Sequence, residues 1–290
     1  MTALVAALLV AAPWTQAGPT DKIAISPAAD FTIAGAGLVA WVVPELLKEQ
    51  LAPAHCVVCD GDDDSGLPGT ESRGSLNRVD AYLHDAMTGW LMPRKTADTV
   101  SNIWTFALLP AGALTAALLA TGPHASSGAG YRAALIVGES AAVSAALVKG
   151  VKFFEARKRP FVRYGHGTDG SDPDSGTTYE VHDRDSHISF PSGHTAFATS
   201  LGVSTAMTAT LEESPAAPWL WGAAALMSVS AASLRMMAEK HYFTDVTAGA
   251  AIGAACGVVL ALLHRRGSAL AGSSVSGVAQ GPRLALTGVF

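Results

Sequence analysis

The sequence predicts an all-α fold: a six-helix bundle embedded in a membrane. Only 15% of the 290 residues are charged and 49% are hydrophobic, whereas soluble domains carry about 25% charged residues. Long apolar segments recur, each about the length that crosses a hydrocarbon core of about 30 Å. They are rich in Ala, Gly and Ser, which suits close helix packing in a membrane. A tight soluble bundle is the alternative that this composition leaves open.

The first 17 residues precede these segments and resemble a targeting sequence. An apolar stretch at 3–12 is followed by Pro13 and a short polar stretch, but no positive charge precedes it. Residues 1–17 are therefore predicted to be a cleaved signal peptide or a retained anchor, and either one directs the chain out of the cytosol.

The predicted helices follow in order, with polar segments between them. Residues 18–51 hold the first helix, 52–100 form a polar extracytoplasmic insert, and 265–290 form a flexible Ser/Gly-rich tail. A second polar loop covers 163–187, and Glu139 is the exceptional charge in the middle of an apolar segment. The apolar segments are 31–51, 103–121, 133–151, 195–211, 219–237 and 246–263.

The insert contains an acidic loop and a pair of cysteines. The acidic residues at 60–71 partly match a calcium-binding loop, but Ser65 and Pro68 break the pattern, so a solvated loop is predicted. Cys56 and Cys59 are predicted to form a local disulfide, and Cys256 to be a buried apolar side chain.

The charge of the chain argues against a nucleic-acid partner. The formal net charge is −5, and no sustained basic stripe is present to neutralise a nucleic-acid backbone. Lysine and arginine gather instead at residues 149–163 and 264–266. The second group is typical of the cytoplasmic flank of a membrane helix.

The first basic group contains a motif at the end of the third apolar segment. Lys152 and Arg159 stand seven residues apart, which is about two turns on one helix face. An ammonium and a guanidinium suit a phosphoryl dianion, because Arg forks onto two oxygens while Lys acts as a point charge. Pro160 ends the helix. Taken alone, the pattern favours basic residues that flank a membrane segment.

The second motif, Phe-Pro-Ser-Gly-His at 190–194, opens the fourth helix. Ser192 is a candidate N-cap, and Gly193 lets the backbone approach an anion. Free N–H groups at a helix start make a phosphate site, and His194 stands where it could give a proton to a leaving alkoxide.

The third motif precedes the last helix and contains Arg235, His241 and Asp245. His241 and Asp245 are four residues apart, so on a helix they would share one face. An Asp that accepts the Nδ1 proton would leave Nε2 free to attack. Arg235 could supply a third cationic contact. In isolation, an ordinary surface His–Asp pair is the better interpretation.

Together these motifs, in this order, resemble the type 2 phosphatidic acid phosphatase superfamily, which includes acid phosphatases and vanadium haloperoxidases. The resemblance covers about residues 101–264, and the implied fold is that superfamily's six-helix bundle. One departure is visible: Leu234 stands where the family usually has Ser directly before the Arg of the third motif. The departure concerns a side-chain hydrogen bond to phosphate and not the nucleophile.

The resemblance implies a role for each motif residue. His241 would attack phosphorus and form a phosphohistidine, Asp245 would orient it, and His194 would protonate the leaving oxygen and then activate water. No cofactor or catalytic metal is implied, and vanadate is expected to inhibit. The phosphate-binding residues would be Lys152, Arg159, Ser192, Gly193 and Arg235.

The expected activity is therefore hydrolysis of phosphate monoesters or pyrophosphates, with lipids as the expected substrates. The alternatives are a vanadium-dependent haloperoxidase and a soluble periplasmic acid phosphatase. The expected location is the inner membrane with the site facing the periplasm or exterior, or else the periplasm itself. The specific substrate, the fate of the leader, the number of spans and the oligomeric state are left open.

Overall fold

The computed structural model describes residues 16–53, 56–58, 77–164 and 184–268 of the chain. Within these residues the secondary structure is helical and no β-sheet forms. A π-helical turn (Trp104–Leu108) joins α4 to α5, and a 3-10 helix (Arg184–His187) precedes α8. The α-helices are α1 (Pro27–Leu46), α2 (Lys48–Leu51), α3 (Arg78–Met87), α4 (Arg94–Ile103), α5 (Leu109–Leu119), α6 (Ala129–Glu155), α7 (Pro160–Arg163), α8 (Gly193–Leu211), α9 (Ala217–Met237) and α10 (Phe243–Leu263).

The all-α prediction is confirmed, and six long helices form the bundle: α1, the continuous α4–α5 helix, α6, α8, α9 and α10. The largest boundary difference concerns α4–α5, which begins at Arg94 and not at residue 103. Hydropathy detects only the apolar part of this helix. Its first turns are polar, and they carry Asp98 and Asn102 to the end of the bundle where the motifs lie.

Several sequence predictions fall on parts of the chain outside the described residues. These are the leader up to residue 15, the acidic loop with its calcium-like pattern, loop residues 165–183 and the tail beyond residue 268. Cys56 is disulfide-bonded and Cys256 carries a free, buried thiol. Cys59, the predicted partner of Cys56, is also outside the described residues.

Helix α8 lies at the centre and packs against α6, α9 and α10. Its contact with α10 is made by backbone, because Gly249, Gly253 and Gly257 line one face of α10. A Cβ built on Gly249 would lie 2.4 Å from the carbonyl oxygen of Ser192, and one built on Gly253 would lie 2.2 Å from that of Ala196. Only glycine permits this approach, which fixes the start of α8 against the start of α10.

The outer faces of the bundle are apolar. Within the described part of the chain, five helices are long and apolar enough to cross a membrane: α1, α4–α5, α6, α9 and α10. Large apolar side chains such as Leu46, Trp219 and Leu226 are more than two-thirds exposed. An exposed apolar surface of this extent marks contact with a partner or with lipid, and with five such helices it indicates membrane association.

Candidate active site

The bundle helices alternate in direction, so the three motifs meet at one end. Helix α6 ends there with Lys152, α8 starts there with His194, and the turn between α9 and α10 carries His241. All three side chains line one cavity of about 680 Å³. Of the eight predicted site residues, six line it: Lys152, Arg159, Gly193, His194, Arg235 and His241.

The cavity is strongly cationic. It is lined by six Lys or Arg side chains and three carboxylates, a formal excess of three positive charges when all of them are ionised. Such an excess inside a partly closed site favours a multiply charged anion. The cations are Lys48, Lys149, Lys152, Arg159, Arg235 and Lys240, and the carboxylates are Glu45, Asp98 and Asp185.

Lys152 is buried in the last turns of α6 and is held by backbone carbonyls. Its Nζ donates to the carbonyl oxygens of Ile188 at 2.6 Å and Ser189 at 3.3 Å. These two carbonyl oxygens fix the position of the amino group at the wall of the cavity. The helix then ends at Ala156 in a left-handed conformation, and the chain turns towards Arg159.

Arg159 is fixed by three polar contacts. Its Nε donates to the carbonyl oxygen of Asp185 at 2.7 Å, and its Nη2 donates to the Asp185 carboxylate at 3.1 Å. Its Nη1 donates to the carbonyl oxygen of Lys240 at 2.9 Å and lies 3.4 Å from Nε2 of His241. An oxyanion bound to this guanidinium would therefore lie against the predicted nucleophilic nitrogen.

Burial lowers the pKa of His241 well below its usual range, and the positive charges of Lys152, Arg159 and Arg235 reinforce the shift. The ring is therefore neutral at neutral pH, and a lone pair is available on one nitrogen. The neighbouring Arg159 guanidinium is a donor that faces Nε2. This contact favours the tautomer in which Nε2 carries the lone pair and Nδ1 carries the proton.

The relation between His241 and Asp245 differs from the helical pairing that the spacing suggests. His241 precedes α10, whereas Asp245 lies in its first turn, where Oδ2 accepts from the backbone N–H of Tyr242 at 2.9 Å and closes a capping box. His241 Nδ1 lies 3.6 Å from the same oxygen, which is too long for a hydrogen bond. Asp245 therefore orients the imidazole by charge and fixes the turn that carries it.

His194 lies in the first turn of α8 and lines the cavity. Its Nε2 lies 2.7 Å from Oδ1 of Asn102. Its ring packs edge-on against Phe106, with the ring centroids 4.7 Å apart. These two contacts hold the imidazole at the cavity wall. A substrate oxygen that bound to Nε2 would compete with Asn102 for it.

The sequence predicts that Ser192 and Gly193 both bind phosphate, but only Gly193 lines the cavity. Ser192 is fully buried and is the N-cap of α8: its hydroxyl oxygen accepts from the Thr195 N–H at 3.4 Å and from the Thr195 hydroxyl at 3.0 Å. It is absent from the described cavity lining, which Gly193 joins. A Cβ on Gly193 would lie 3.9 Å from Cε of Lys152, so its backbone faces the cations.

Arg235, near the end of α9, is tied to α4. Its Nη1 donates to the Asp98 carboxylate at 2.5 Å and to the Ser101 hydroxyl at 2.8 Å. The polar first turns of α4 thus position this third cation. Asp98 and Asn102 were not predicted as site residues, because no motif or spacing marks them in the sequence.

Asp185 is a further site residue that sequence reasoning did not find. Burial alone would raise its pKa, but the charges of Arg159, Lys48 and Lys240 hold that pKa far below its usual range. The carboxylate is therefore ionised, and it orients Arg159. It belongs to the 3-10 helix at the end of the long polar loop, where no pattern in the sequence marks it.

A buried ionic network outside the cavity lining supports the third motif. Arg157 donates to Asp245 at 2.5 Å and to Asp80 at 3.0 Å. Asp80 also accepts from the Thr244 N–H at 2.9 Å and from its hydroxyl at 2.7 Å. Ser189 adds a hydroxyl donor to Asp245 at 2.6 Å. The insert helix α3, through Asp80, thus helps to fix the start of α10.

One wall of the cavity is apolar. Trp41 of α1 packs against Phe106 and Phe197, with ring centroids 6.0 Å and 5.5 Å apart. Pro110, Ala145 and Val148 extend this wall. The cation cluster and the aromatic wall therefore belong to one continuous cavity.

An all-helical bundle that encloses two histidines in a cationic cavity is suited to binding phosphate or a phosphate-like oxyanion. Residues 133–268, which carry all three motifs, match the model of the PAP2 superfamily, and this part of the chain belongs to that superfamily. Membership supports an activity of the phosphatase or haloperoxidase type. No curated protein matches the chain in sequence.

Proposed function

We propose that this protein is a lipid phosphatase of the cell envelope that works through a phosphohistidine intermediate. The observation that supports the proposal is that a cationic surface and an apolar surface lie in one cavity. Lys152, Arg159 and Arg235 would bind a phosphate, and the wall around Trp41 and Phe106 would bind an apolar chain attached to it. A soluble phosphate ester would use only the first surface.

The chemistry would proceed in two steps. The negative charge of a bound phosphate would favour protonation of His194. Nε2 of His241 attacks phosphorus, the bond to the leaving oxygen breaks, and the protonated His194 gives that oxygen its proton. His194 then takes a proton from water, the water oxygen attacks phosphorus, and the P–N bond breaks to release phosphate and free His241. Arg159 would hold equatorial oxygens throughout, and one such preorganised donor contributes about 3 kcal/mol to the transition state.

No metal is needed in this proposal. In other phosphoryl-transfer enzymes, metal ions neutralise charge on the transferring group. Here the excess of three positive charges in the cavity lining would do so.

The disulfide supports an orientation in which the site faces an oxidising compartment. The N–H of Val57, next to disulfide-bonded Cys56, donates to the carbonyl oxygen of Ala156 at 3.0 Å. The disulfide therefore lies at the site end of α6, and disulfides persist outside the cytosol. Arg265 and Arg266 lie at the other end, which suits the cytoplasmic side.

The proposed nucleophile is tested by replacing His241 with Ala. Turnover should be lost, whereas His124→Ala, an exposed histidine at the opposite end of the bundle, should retain it. Rapid quenching of the wild type with a ³²P-labelled substrate should trap an acid-labile, base-stable adduct on His241. Substantial phosphate release by His241→Ala, or an acid-stable serine adduct, would refute the assignment.

The lipid specificity is tested at the apolar wall. Trp41→Ala should raise KM for a long-chain phosphatidic acid in mixed micelles and leave kcat/KM for p-nitrophenyl phosphate within about twofold. Trp219→Ala, whose indole is 82% exposed far from the cavity, is the matched control. An equal loss on both substrates would contradict the role of the wall. Halide oxidation with peroxide and vanadate, without phosphatase activity, would favour the haloperoxidase alternative.

A further inference from the structure

A second cluster of chemically active side chains lies at the end of the bundle opposite the active site. Asp30 is in the first turn of α1, Glu139 is on α6, and His264 follows the last residue of α10. All three are fully buried. Glu139 and Lys152 are separated by about 20 Å along α6, at about 1.5 Å per residue.

We propose that Asp30, Glu139 and His264 bind a divalent transition-metal ion of the Zn²⁺ type. One ligand atom from each residue lies within 4.8 Å of the others. Nε2 of His264 is 3.2 Å from Oδ1 of Asp30 and 3.3 Å from Oε2 of Glu139. Tetrahedral ligands on bonds of about 2.0–2.1 Å are about 3.3 Å apart, so these separations suit a shared ion.

These contacts are close enough for ion pairs, but they do not have hydrogen-bond geometry. Nε2 of His264, Oδ1 of Asp30 and both carboxylate oxygens of Glu139 have no hydrogen-bond partner among the described residues. Buried polar atoms are almost always paired, and each exception requires an explanation. Because the short contacts lack hydrogen-bond geometry, a proton on Nε2 would not be directed at either oxygen. A metal ion between the three atoms would satisfy them together.

The outer contacts of the cluster are those of metal ligands. Nδ1 of His264 lies 2.7 Å from the carbonyl oxygen of Leu260. Since a carbonyl only accepts, Nδ1 carries the proton, and in the neutral ring Nε2 presents a lone pair to the carboxylates. Ligating histidines in proteins typically donate their second N–H in this way. The other oxygen of Asp30 accepts from the N–H of Ser26 at 2.8 Å, which fixes that carboxylate.

Charge balance is compatible with a divalent ion. Metal ligation deprotonates carboxyl groups, so Asp30 and Glu139 would then carry two negative charges in a site closed to water. A doubly charged cation neutralises both of them, and burial of an uncompensated charge is strongly unfavourable. An imidazole with two carboxylates suits Zn²⁺ and related ions better than Mg²⁺ or Ca²⁺, which prefer oxygen ligands alone.

Such an ion would join α1, α6 and the end of α10 inside the bundle, away from the catalytic cavity. Its role would be structural, because none of its ligands lines that cavity. Loss of the ion should therefore lower thermal stability and leave the chemical step intact. The inference does not depend on the proposed function.

The test uses the full chain in detergent without a polyhistidine tag, stripped with EDTA and returned to chelator-free buffer. Titration with Zn²⁺ should show one saturable equivalent. The melting temperature should rise by roughly 5–10 °C when Zn²⁺ exceeds Kd about 100-fold. Glu139→Gln should lose that equivalent. Glu212→Gln, a buried carboxylate at the same end that accepts from the backbone at Ile23, should keep it.

Two results would overturn the proposal: no saturable Zn²⁺ binding by the wild type, or equal binding by Glu139→Gln. If that variant does not fold, X-ray absorption at the zinc edge of the loaded wild type decides. One imidazole and only nitrogen or oxygen ligands at about 2.0–2.1 Å would support the site. Sulfur ligands or two imidazoles would place the ion elsewhere and refute it.

Discussion

Replacement of Asp80 by Asn tests whether the insert helix α3 supports the catalytic turn. The buried Asp80 carboxylate holds Arg157 at 3.0 Å and accepts both donors of Thr244. An amide keeps the shape, and its single oxygen can still accept one of the two Thr244 donors, but it removes the ion pair. Removing one partner of a buried ion pair costs about 3–5 kcal/mol. We take an expected loss of about 3 kcal/mol, the lower end of this range, because the amide keeps the shape and one hydrogen bond.

A loss of about 3 kcal/mol corresponds to a fall of roughly 6–12 °C in melting temperature for a domain of this size. Thermal unfolding in detergent, followed by tryptophan fluorescence, measures it. We also expect kcat to fall about tenfold, which is equivalent to about 1.4 kcal/mol. Arg157 would lose its contact with the carboxylate at position 80, and the turn that carries His241 would shift, although Asp80 itself does not line the cavity.

The matched control is Asp85→Asn on the same helix. Asp85 pairs with His84 but its side chain is 76% exposed, and exposed pairs contribute about 0–1 kcal/mol. If Asp80→Asn melts within about 2 °C of Asp85→Asn and turns over at the wild-type rate, then α3 does not support the site.

Three further predictions concern pH, packing and inhibitors. Burial and the charge of Arg159 lower the pKa of Lys240 to about 7, so a cation is lost as pH rises through 7. The kcat/KM for a phosphate dianion should fall there, and Lys240→Arg should move that limb to higher pH; an unchanged limb would contradict the assignment. Gly253→Ala should lower the melting temperature by several degrees, whereas Gly222→Ala, with nothing within 4 Å of its Cβ, should match or exceed the wild type. Phosphate release at 25 °C should persist in EDTA and be inhibited by micromolar vanadate; a complete loss restored by Mg²⁺ would indicate a catalytic metal.

The helices could be predicted because a bundle repeats one physical pattern. Segments of about 20 apolar residues are easily detected from the hydropathy of the sequence. Five of the six predicted segments correspond to helices long and apolar enough to cross a membrane. The sixth, α8, is surrounded by other helices and carries Ser and Thr that bond to its own backbone, such as Ser204 and Thr208. Hydropathy misjudges the start of α4–α5 because its first turns face the site and are polar.

The motifs could be predicted because their residues keep a fixed spacing along the chain. The residues that hold them could not. Asp80 lies in the insert, Asp185 in a polar loop and Asn102 in a helix turn, and each meets its partner through the tertiary fold alone. The roles of Ser192 and Asp245 also depend on the tertiary fold and could not be predicted. Each residue type fits both a cap and a ligand, and only the geometry separates the two roles.

The glycine face of α10 has a consequence for how this site tolerates change. Where two helices touch through peptide groups, their separation is set by van der Waals contact between backbone atoms, which a side-chain substitution elsewhere does not alter. The two imidazoles are carried by the starts of helices so joined. Residues on the outward side of α10 can therefore change in size, or adapt to another bilayer, without changing the distance between the two imidazoles.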